Sequence, residues 1–267
     1  MAVQLSDIVR NGLKEKLARG EVAASMTVRL VRTIEIAQIA RTAGFDSLYV
    51  DIEHNSFSFD AVGQVCMAAM AIGVTPLVRV PTRGSEYVSR VLDGGAMGVI
   101  VPHVGSAAEA REVVAAAKFP PLGERSAAGG LPHLQYRSFP SAETYKALND
   151  ATIVMVQFET ADALERADEI MAVEGVDMVM VGTNDLMADM GIAGQFDHQL
   201  VKEAFSTTIA ACRKHGKYCG VGGLSSRPDL VAEFVKMGAR YVSTGTDLSF
   251  LLGACTQKAK QVHDLKT

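Results

Sequence analysis

A chain of 267 residues that is 48% hydrophobic and 21% charged, with no tryptophan and a formal net charge of −4, can bury roughly three quarters of its unfolded surface without staples. The charge balance leaves no basic excess for a nucleic-acid backbone. The longest apolar run, Val65 to Val74, is far short of the roughly 20 residues a membrane span needs.

The start, Met1-Ala2-Val3-Gln4-Leu5-Ser6-Asp7, has neither the basic nor the apolar region of a secretory signal. Cys66, Cys212, Cys219 and Cys255 show no C-x-x-C spacing and read as free thiols. A cytoplasmic globular protein is expected. No linker or low-complexity tract divides the sequence, so residues 1–267 are expected to form one domain.

In chain order, an amphipathic helix is predicted over Ser6 to Arg19, then a strand over Ala23 to Val28. A helix through Ile34, Ile36, Ala37, Ile39 and Ala40 stops at Gly44. The second strand is Ser47 to Asp51, followed by a helix from Phe59 to Ile72. The third strand, Thr75 to Val80, leads to a helix ending near Gly94-Gly95. The fourth, Gly98 to Pro102, precedes a helix capped by Ser106. From Phe119 to Asp150 the rhythm breaks on Pro120, Pro121, Gly123, Gly129, Gly130 and Pro132, and a long loop of this kind is expected to be a lid or an interface element. Strands five to eight are Ile153 to Phe158, Met178 to Val181, Lys217 to Gly222 and Tyr241 to Ser243.

These runs are short and aliphatic and lack clean alternation, the pattern of parallel strands buried on both faces. Eight of them separated by helices predict a closed (β/α)8 barrel. A doubly wound dinucleotide fold would place a glycine-rich turn after its first strand, where this chain has Arg29-Leu30-Val31-Arg32.

In such barrels the chemistry lies at the C-terminal ends of the strands. Glu159 and Asp185 follow the fifth and sixth apolar runs. Two carboxylates aimed into one mouth repel unless a proton or cation lies between them, and hard oxygen ligands point to Mg²⁺ or Mn²⁺. Alternatively, each caps the next helix or pairs with an arginine. Asp51 and His54 share one loop, where a carboxylate can fix an imidazole's tautomer for acid/base work; a plain loop histidine fits the same residues. Arg79 lies inside the run Leu77-Val78-Arg79-Val80. A guanidinium there needs an anionic partner, either a substrate carboxylate or an internal ion pair. His103 ends a strand, and His133 lies in the irregular segment, within reach of either substrate or backbone. Gly222, Gly223 and Gly245 serve a phosphate cradle or tight turns equally well. A Schiff-base lysine is not found at any strand end, since Lys217 lies at the opposite end of its strand.

Together these segments resemble the HpcH/HpaI family of metal-dependent, class II pyruvate aldolases. The likeness runs from Ala43-Gly44-Phe45-Asp46 to Gly245-Thr246-Asp247. It is carried by Asp51-Ile52-Glu53-His54, Pro76-Leu77-Val78-Arg79-Val80-Pro81, Leu92-Asp93-Gly94-Gly95, Pro120-Pro121-Leu122-Gly123-Glu124-Arg125, Gln157-Phe158-Glu159-Thr160 and Gly182-Thr183-Asn184-Asp185-Leu186. The resemblance implies that Glu159 and Asp185 hold a divalent ion (Mg²⁺, Mn²⁺ or Co²⁺) and that His54, oriented by Asp51, is the acid/base. It implies that Arg79 faces the pyruvyl group and that Gln157 and the backbone of Gly182, Thr183 and Asn184 bind substrate. Asp93 matches a residue that completes a neighbouring subunit's site, which implies a homo-oligomer, in the family a hexamer.

The implied reaction is reversible retro-aldol cleavage of a 4-hydroxy-2-oxo acid to pyruvate and an aldehyde. A metal-enolate lyase or synthase acting on a CoA thioester, and a non-catalytic oxo-acid-binding barrel, are the alternatives. The family often has glycine where Ile52 stands, and Pro-Ala-Asp-Leu-Ser after the glycine corresponding to Gly182. These departures leave the aldehyde partner open, and its selectivity is expected in the stretch from Gly123 to Leu134 and in contacts from a neighbouring chain.

Overall fold

The computed structural model describes residues 3–265. Helices α1 (Leu5–Ile8) and α2 (Gly12–Ala18) precede β1 (Ala23–Val28), after which α3 (Glu35–Ala43), β2 (Ser47–Asp51), α4 (Phe59–Ala71), β3 (Thr75–Arg79), α5 (Ser85–Asp93), β4 (Gly98–Val101) and α6 (Ala107–Ala117) alternate. A 3₁₀ turn (Pro132–Leu134) and α7 (Ser141–Ala151) lead to β5 (Ile153–Phe158), α8 (Ala161–Glu165), α9 (Ala167–Met171) and β6 (Met178–Gly182). The chain continues through α10 (Thr183–Asp189), α11 (Gln199–Lys214), β7 (Tyr218–Gly222), α12 (Pro228–Met237), β8 (Tyr241–Thr246) and α13 (Asp247–His263).

The eight strands close in sequence order into a barrel, every neighbouring pair parallel. Strands β2, β4 and β5 are buried throughout. Both faces of such a strand are covered, which is why no alternation marks it in the sequence. Inside the barrel, Tyr49, Leu77, Ile100, Met155, Met178, Met180 and Tyr241 pack together, and Leu13 and Leu17 of α2 join them. Helix α2 therefore plugs the N-terminal end and leaves the C-terminal end open. A second apolar layer joins the outward faces of the strands to the helices. Each fully buried leucine there contributes about 1.5–3 kcal/mol. No helix is long and apolar enough to cross a membrane among the described residues.

Two expectations change. The opening helix is two helices, because the Asn11 side chain caps α2 by accepting the Lys14 N–H (3.1 Å) while its amide donates to Ala151 O (2.7 Å). The break at Phe119 to Asp150 is shorter than expected, because α7 fills its last third. Nor does this segment cover the mouth. Lys118 donates to Thr152 O and His133 Nε2 meets Ala96 O (2.9 Å), both carbonyls just ahead of a strand's first residue, so the segment closes the N-terminal end. His133 is thus a buried, backbone-bonded histidine.

Candidate active site

Asp51 and Arg79 are register partners on β2 and β3. Adjacent inward-facing positions on neighbouring strands bring their side chains together. The result is a two-pronged pair, Arg79 Nε donating to Asp51 Oδ1 (3.0 Å) and Nη2 to Oδ2 (2.7 Å). Arg79 Nη1 lies 2.8 Å from Glu53 Oε2. Of the two partners proposed for Arg79 from sequence, the internal ion pair is present. A third group joins it from just past β1, Arg29, whose Nε donates to Asp51 Oδ2 (2.8 Å). Burial disfavours charge on Asp51, but the hydrogen bond and charge of Arg79, with Arg29, outweigh it and hold the carboxyl below the ordinary range. Asp51 also accepts the backbone N–H groups of Glu53 and His54. Its oxygens are therefore taken by arginines and backbone. The His54 ring meets Glu53 instead, with Nε2 3.5 Å from Oε2. The expected Asp51–imidazole contact is replaced by a contact to the backbone of His54.

Across the mouth, Glu159 directly follows β5 and Asp185 lies in the first turn of α10. Glu159 Oε2 accepts the His103 N–H (2.8 Å) and lies 2.9 Å from His103 Nδ1. His103 reaches this position with φ 55°, a left-handed conformation that is costly for a residue with a Cβ. Its Nε2 is 3.4 Å from Glu53 Oε1, so one imidazole spans both carboxylates. Burial, together with the charges of Glu53 and Asp185, raises the Glu159 carboxyl above its usual range against the opposing pull of His103. Gly182 makes this approach possible, since a Cβ there would fall 2.6 Å from Glu159 Cγ.

Neither carboxylate caps a helix or pairs with an arginine: Thr160 caps α8, and Asp185 has no hydrogen-bond or ion-pair partner among the described residues. Glu159 Oε1 and both Asp185 oxygens are left as hard, mutually repelling donors, a set that fits a divalent cation whose remaining positions are filled by water and substrate. No group of three or more His, Cys, Asp or Glu forms a complete metal cage among the described residues.

Between these halves lies a cavity of about 360 Å³ lined by Asp51, His54, Arg79, Gln157, Gly182, Thr183, Asn184 and Asp185. Glu159 borders an adjoining cleft with His103. Thr183 is anchored by its hydroxyl to Gly222 O (2.8 Å), and Asn184 packs over Gly223. Among the described residues the buried Gln157 Oε1 accepts no hydrogen bond, whereas Glu53 Oε2 is held by its ion pair with Arg79. Asp93 is not brought to this site. It ends α5 at the opposite end of the barrel, where Arg125 Nη2 holds its Oδ1 at 2.6 Å. The Gly123 to Leu134 stretch likewise contributes nothing to the cavity of its own chain. Sequence reasoning missed Arg29 and the bridging role of His103. Arg29 was visible as a basic residue just past the first strand, whereas nothing in the sequence announces the backbone angle of His103.

Comparison with known proteins gives a consistent result. The chain is 42% identical over 248 residues to the 4-hydroxy-4-methyl-2-oxoglutarate aldolase of Hapsidospora irregularis, covering 91% of this chain and 92% of that one. It is 32% identical to the 2-keto-3-deoxy-L-rhamnonate aldolase of Escherichia coli over 95% and 94% of the two chains. The crystal structure of an HpcH/HpaI aldolase from Desulfitobacterium hafniense superposes with a TM-score of 0.90 at 33% identity, covering 95% of this chain and 97% of that one. Residues 30–254 match the profile of the HpcH/HpaI aldolase/citrate lyase family. A parallel barrel whose motifs stand at its strand ends, matched over nearly its whole length, belongs to the HpcH/HpaI aldolase/citrate lyase family.

Proposed function

We propose that this chain is a divalent-metal-dependent carbon–carbon lyase that cleaves a 4-hydroxy-2-oxo acid reversibly into pyruvate and an aldehyde, or a ketone when C4 is fully substituted. The observation that carries this reading is the divided charge of the mouth, with free carboxylate oxygens of Glu159 and Asp185 on one side. On the other stands the Arg29–Asp51–Arg79 array. The aldolase activities named for the relatives in Hapsidospora irregularis and Escherichia coli support it.

Glu159 and Asp185 would hold the ion. When bound, it supplies Lewis-acid polarisation of the 2-oxo group. His54 has a side chain 55% exposed at the rim of the cavity. It is placed to take the C4 hydroxyl proton and exchange it with solvent as the C3–C4 bond breaks. Arg79 cannot swing away, since Asp51 and Glu53 fix its fork, and it stabilises the negative charge that develops on the pyruvyl oxygen. The Gly182–Asn184 backbone and Gln157 orient the pyruvyl end.

The assembly is proposed to be a homo-oligomer, a hexamer as in the family. Asp93 lies too far from its own cavity to serve it, and α13 exposes Leu248, Phe250, Leu251 and Leu252, an apolar surface that a second copy would cover. Buried, unpaired Cys66, Cys212 and Cys219 are consistent with a cytoplasmic setting. The test is pyruvate release from a panel of 4-hydroxy-2-oxo acids with added Mg²⁺, Mn²⁺ or Co²⁺. Stoichiometric pyruvate is expected; pyruvate binding without turnover on any member would favour the non-catalytic barrel.

A further inference from the structure

The two arginines that reach the cavity are in different states. Arg79 is nearly enclosed and three of its donor atoms face protein carboxylates, Nε and Nη2 on Asp51 and Nη1 on Glu53. Arg29 is 34% exposed and uses Nε alone, on an oxygen of Asp51 that it shares with Arg79. Its Nη1 and Nη2 have no partner among the described residues. The guanidinium nitrogens of this array that are left without a protein partner are therefore Nη1 and Nη2 on the outer edge of Arg29.

That edge is held in place from behind. Asp247 is buried, and its carboxylate accepts the backbone N–H groups of Arg29 (2.8 Å), Leu30 (3.0 Å) and Val31 (2.8 Å), as well as Leu248 (2.9 Å) at the start of α13. A carboxylate gripping three successive amides ties the loop after β1 to the end of β8. With the backbone fixed by Asp247 and Nε fixed by Asp51, little freedom is left for the side chain to lose on binding, which is the condition for a preorganised recognition group. Arg79 by itself already engages both oxygens of Asp51.

Position then decides what the edge meets. In a closed eight-stranded barrel β1 lies four strands from β5 in either direction and three from β6. Arg29 thus lies on the far side of the barrel mouth from the ends of β5 and β6 and shares the cavity with Asp185. The same cavity carries small, uncharged lining residues from the ends of β7 and β8, namely Gly223, Ser225, Ser243 and Thr246. A substrate whose pyruvyl end is drawn to the acidic side projects its C4 substituent toward this arc.

We propose that Arg29 receives a second carboxylate carried at C4 of the substrate, so that dicarboxylic 4-hydroxy-2-oxo acids are the preferred class. This rests on the aldolase reading and adds to it the residue that selects the substrate. A planar guanidinium edge matches a carboxylate by paired hydrogen bonds, which an alkyl substituent cannot accept.

The experiment compares kcat/KM for 4-hydroxy-2-oxoglutarate with that for 4-hydroxy-2-oxopentanoate, in which a methyl replaces the second carboxylate. Wild type, Arg29→Met and Arg29→Lys are compared at equal metal concentration. Because Arg29 touches Asp51, both substrates lose some rate in the variants, and the readout is the ratio. The wild-type ratio is expected to favour the dicarboxylate, to fall roughly 10- to 100-fold in Arg29→Met, mainly through KM, and to recover in part in Arg29→Lys. Inhibition by 2-oxoglutarate is expected to weaken in Arg29→Met relative to inhibition by 2-oxobutyrate. Should Arg29→Met not fold, Arg29→Lys and Arg29→Gln report the same ratio. A wild type that prefers the neutral substrate, or a ratio unmoved by substitution while pyruvate still forms, overturns this proposal alone. Pyruvate from neither substrate with wild type would remove the aldolase reading and this proposal with it.

Discussion

At the N-terminal end of the barrel Lys118 is 2% exposed, yet its ammonium donates to Asn149 O (2.7 Å) and Thr152 O (2.6 Å) and lies 3.7 Å from Asp177. Burial lowers this amine to about 8, with Asp177 pulling the other way. Lys14 meets the other oxygen of Asp177 at 2.7 Å, and Asn11 bonds Ala151 O and Met97 O. At the C-terminal end the accounting is left open. Among the described residues Asp185 has no hydrogen-bond or ion-pair partner, Gln157 Oε1 accepts no hydrogen bond, and the outer edge of Arg29 is bare. Unsatisfied buried atoms occur at both ends among the described residues, Gln157 Oε1 at the open one and Arg125 Nε and His133 Nδ1 at the closed one. What sets the open end apart is that Asp185 and the outer edge of Arg29 line the cavity with no protein partner among the described residues. One end holds the barrel shut and the other keeps its valences for substrate.

Substitutions at the two ends should therefore fail in different ways. The largest effect is expected for Glu159→Gln or Asp185→Asn, which should lower kcat/KM for pyruvate formation by about 10³-fold while thermal unfolding moves little. Equal activity in either variant would detach that carboxylate from the reaction. Arg79→Ala should cost roughly 10²-fold in kcat/KM, the scale of one preorganised electrostatic group, and steady-state kinetics on the same substrate would expose an unaltered rate. Asn11→Ala, at the closed end, should destabilise by about 2 kcal/mol through the lost cap and orphaned carbonyls, while activity per folded molecule stays at the wild-type level. A loss of kcat in a fully folded sample would blur the division between the ends.

The smallest effect concerns pH. Because the Asp51 carboxyl is held below its ordinary range in the fold, its contribution to stability is fully present above the unfolded value of about 3.9. It should disappear as pH falls through the lower folded value. Denaturant unfolding between pH 6 and pH 3 should show a steeper loss for wild type than for Asp51→Asn.

How much of this was legible in the sequence depends on the residue. Strands such as Ile153 to Phe158 were readable because burial on both faces demands an unbroken aliphatic run. Asp51, Arg79 and Asp185 were readable because charge at the end of such a run is conspicuous. The split at Asn11 was hidden because apolar periodicity continues across it, with Leu13 and Leu17 turned inward to plug the barrel. Helix α7 was masked by the prolines and glycines ahead of it. The partner of Asp51 was misjudged for a geometric reason: neighbours in sequence suggested His54, whereas cross-strand register delivers Arg79. The bridging position of His103 depends on a left-handed backbone that no residue type announces.

The proposed function requires above all a divalent cation held by Glu159 and Asp185. Pyruvate release from a 4-hydroxy-2-oxo acid should be followed before chelation, after exhaustive chelation, and after return of Mg²⁺, Mn²⁺ or Co²⁺. Loss of turnover on chelation and its restoration by the returned ion is the expected result; turnover that survives chelation undiminished would contradict it.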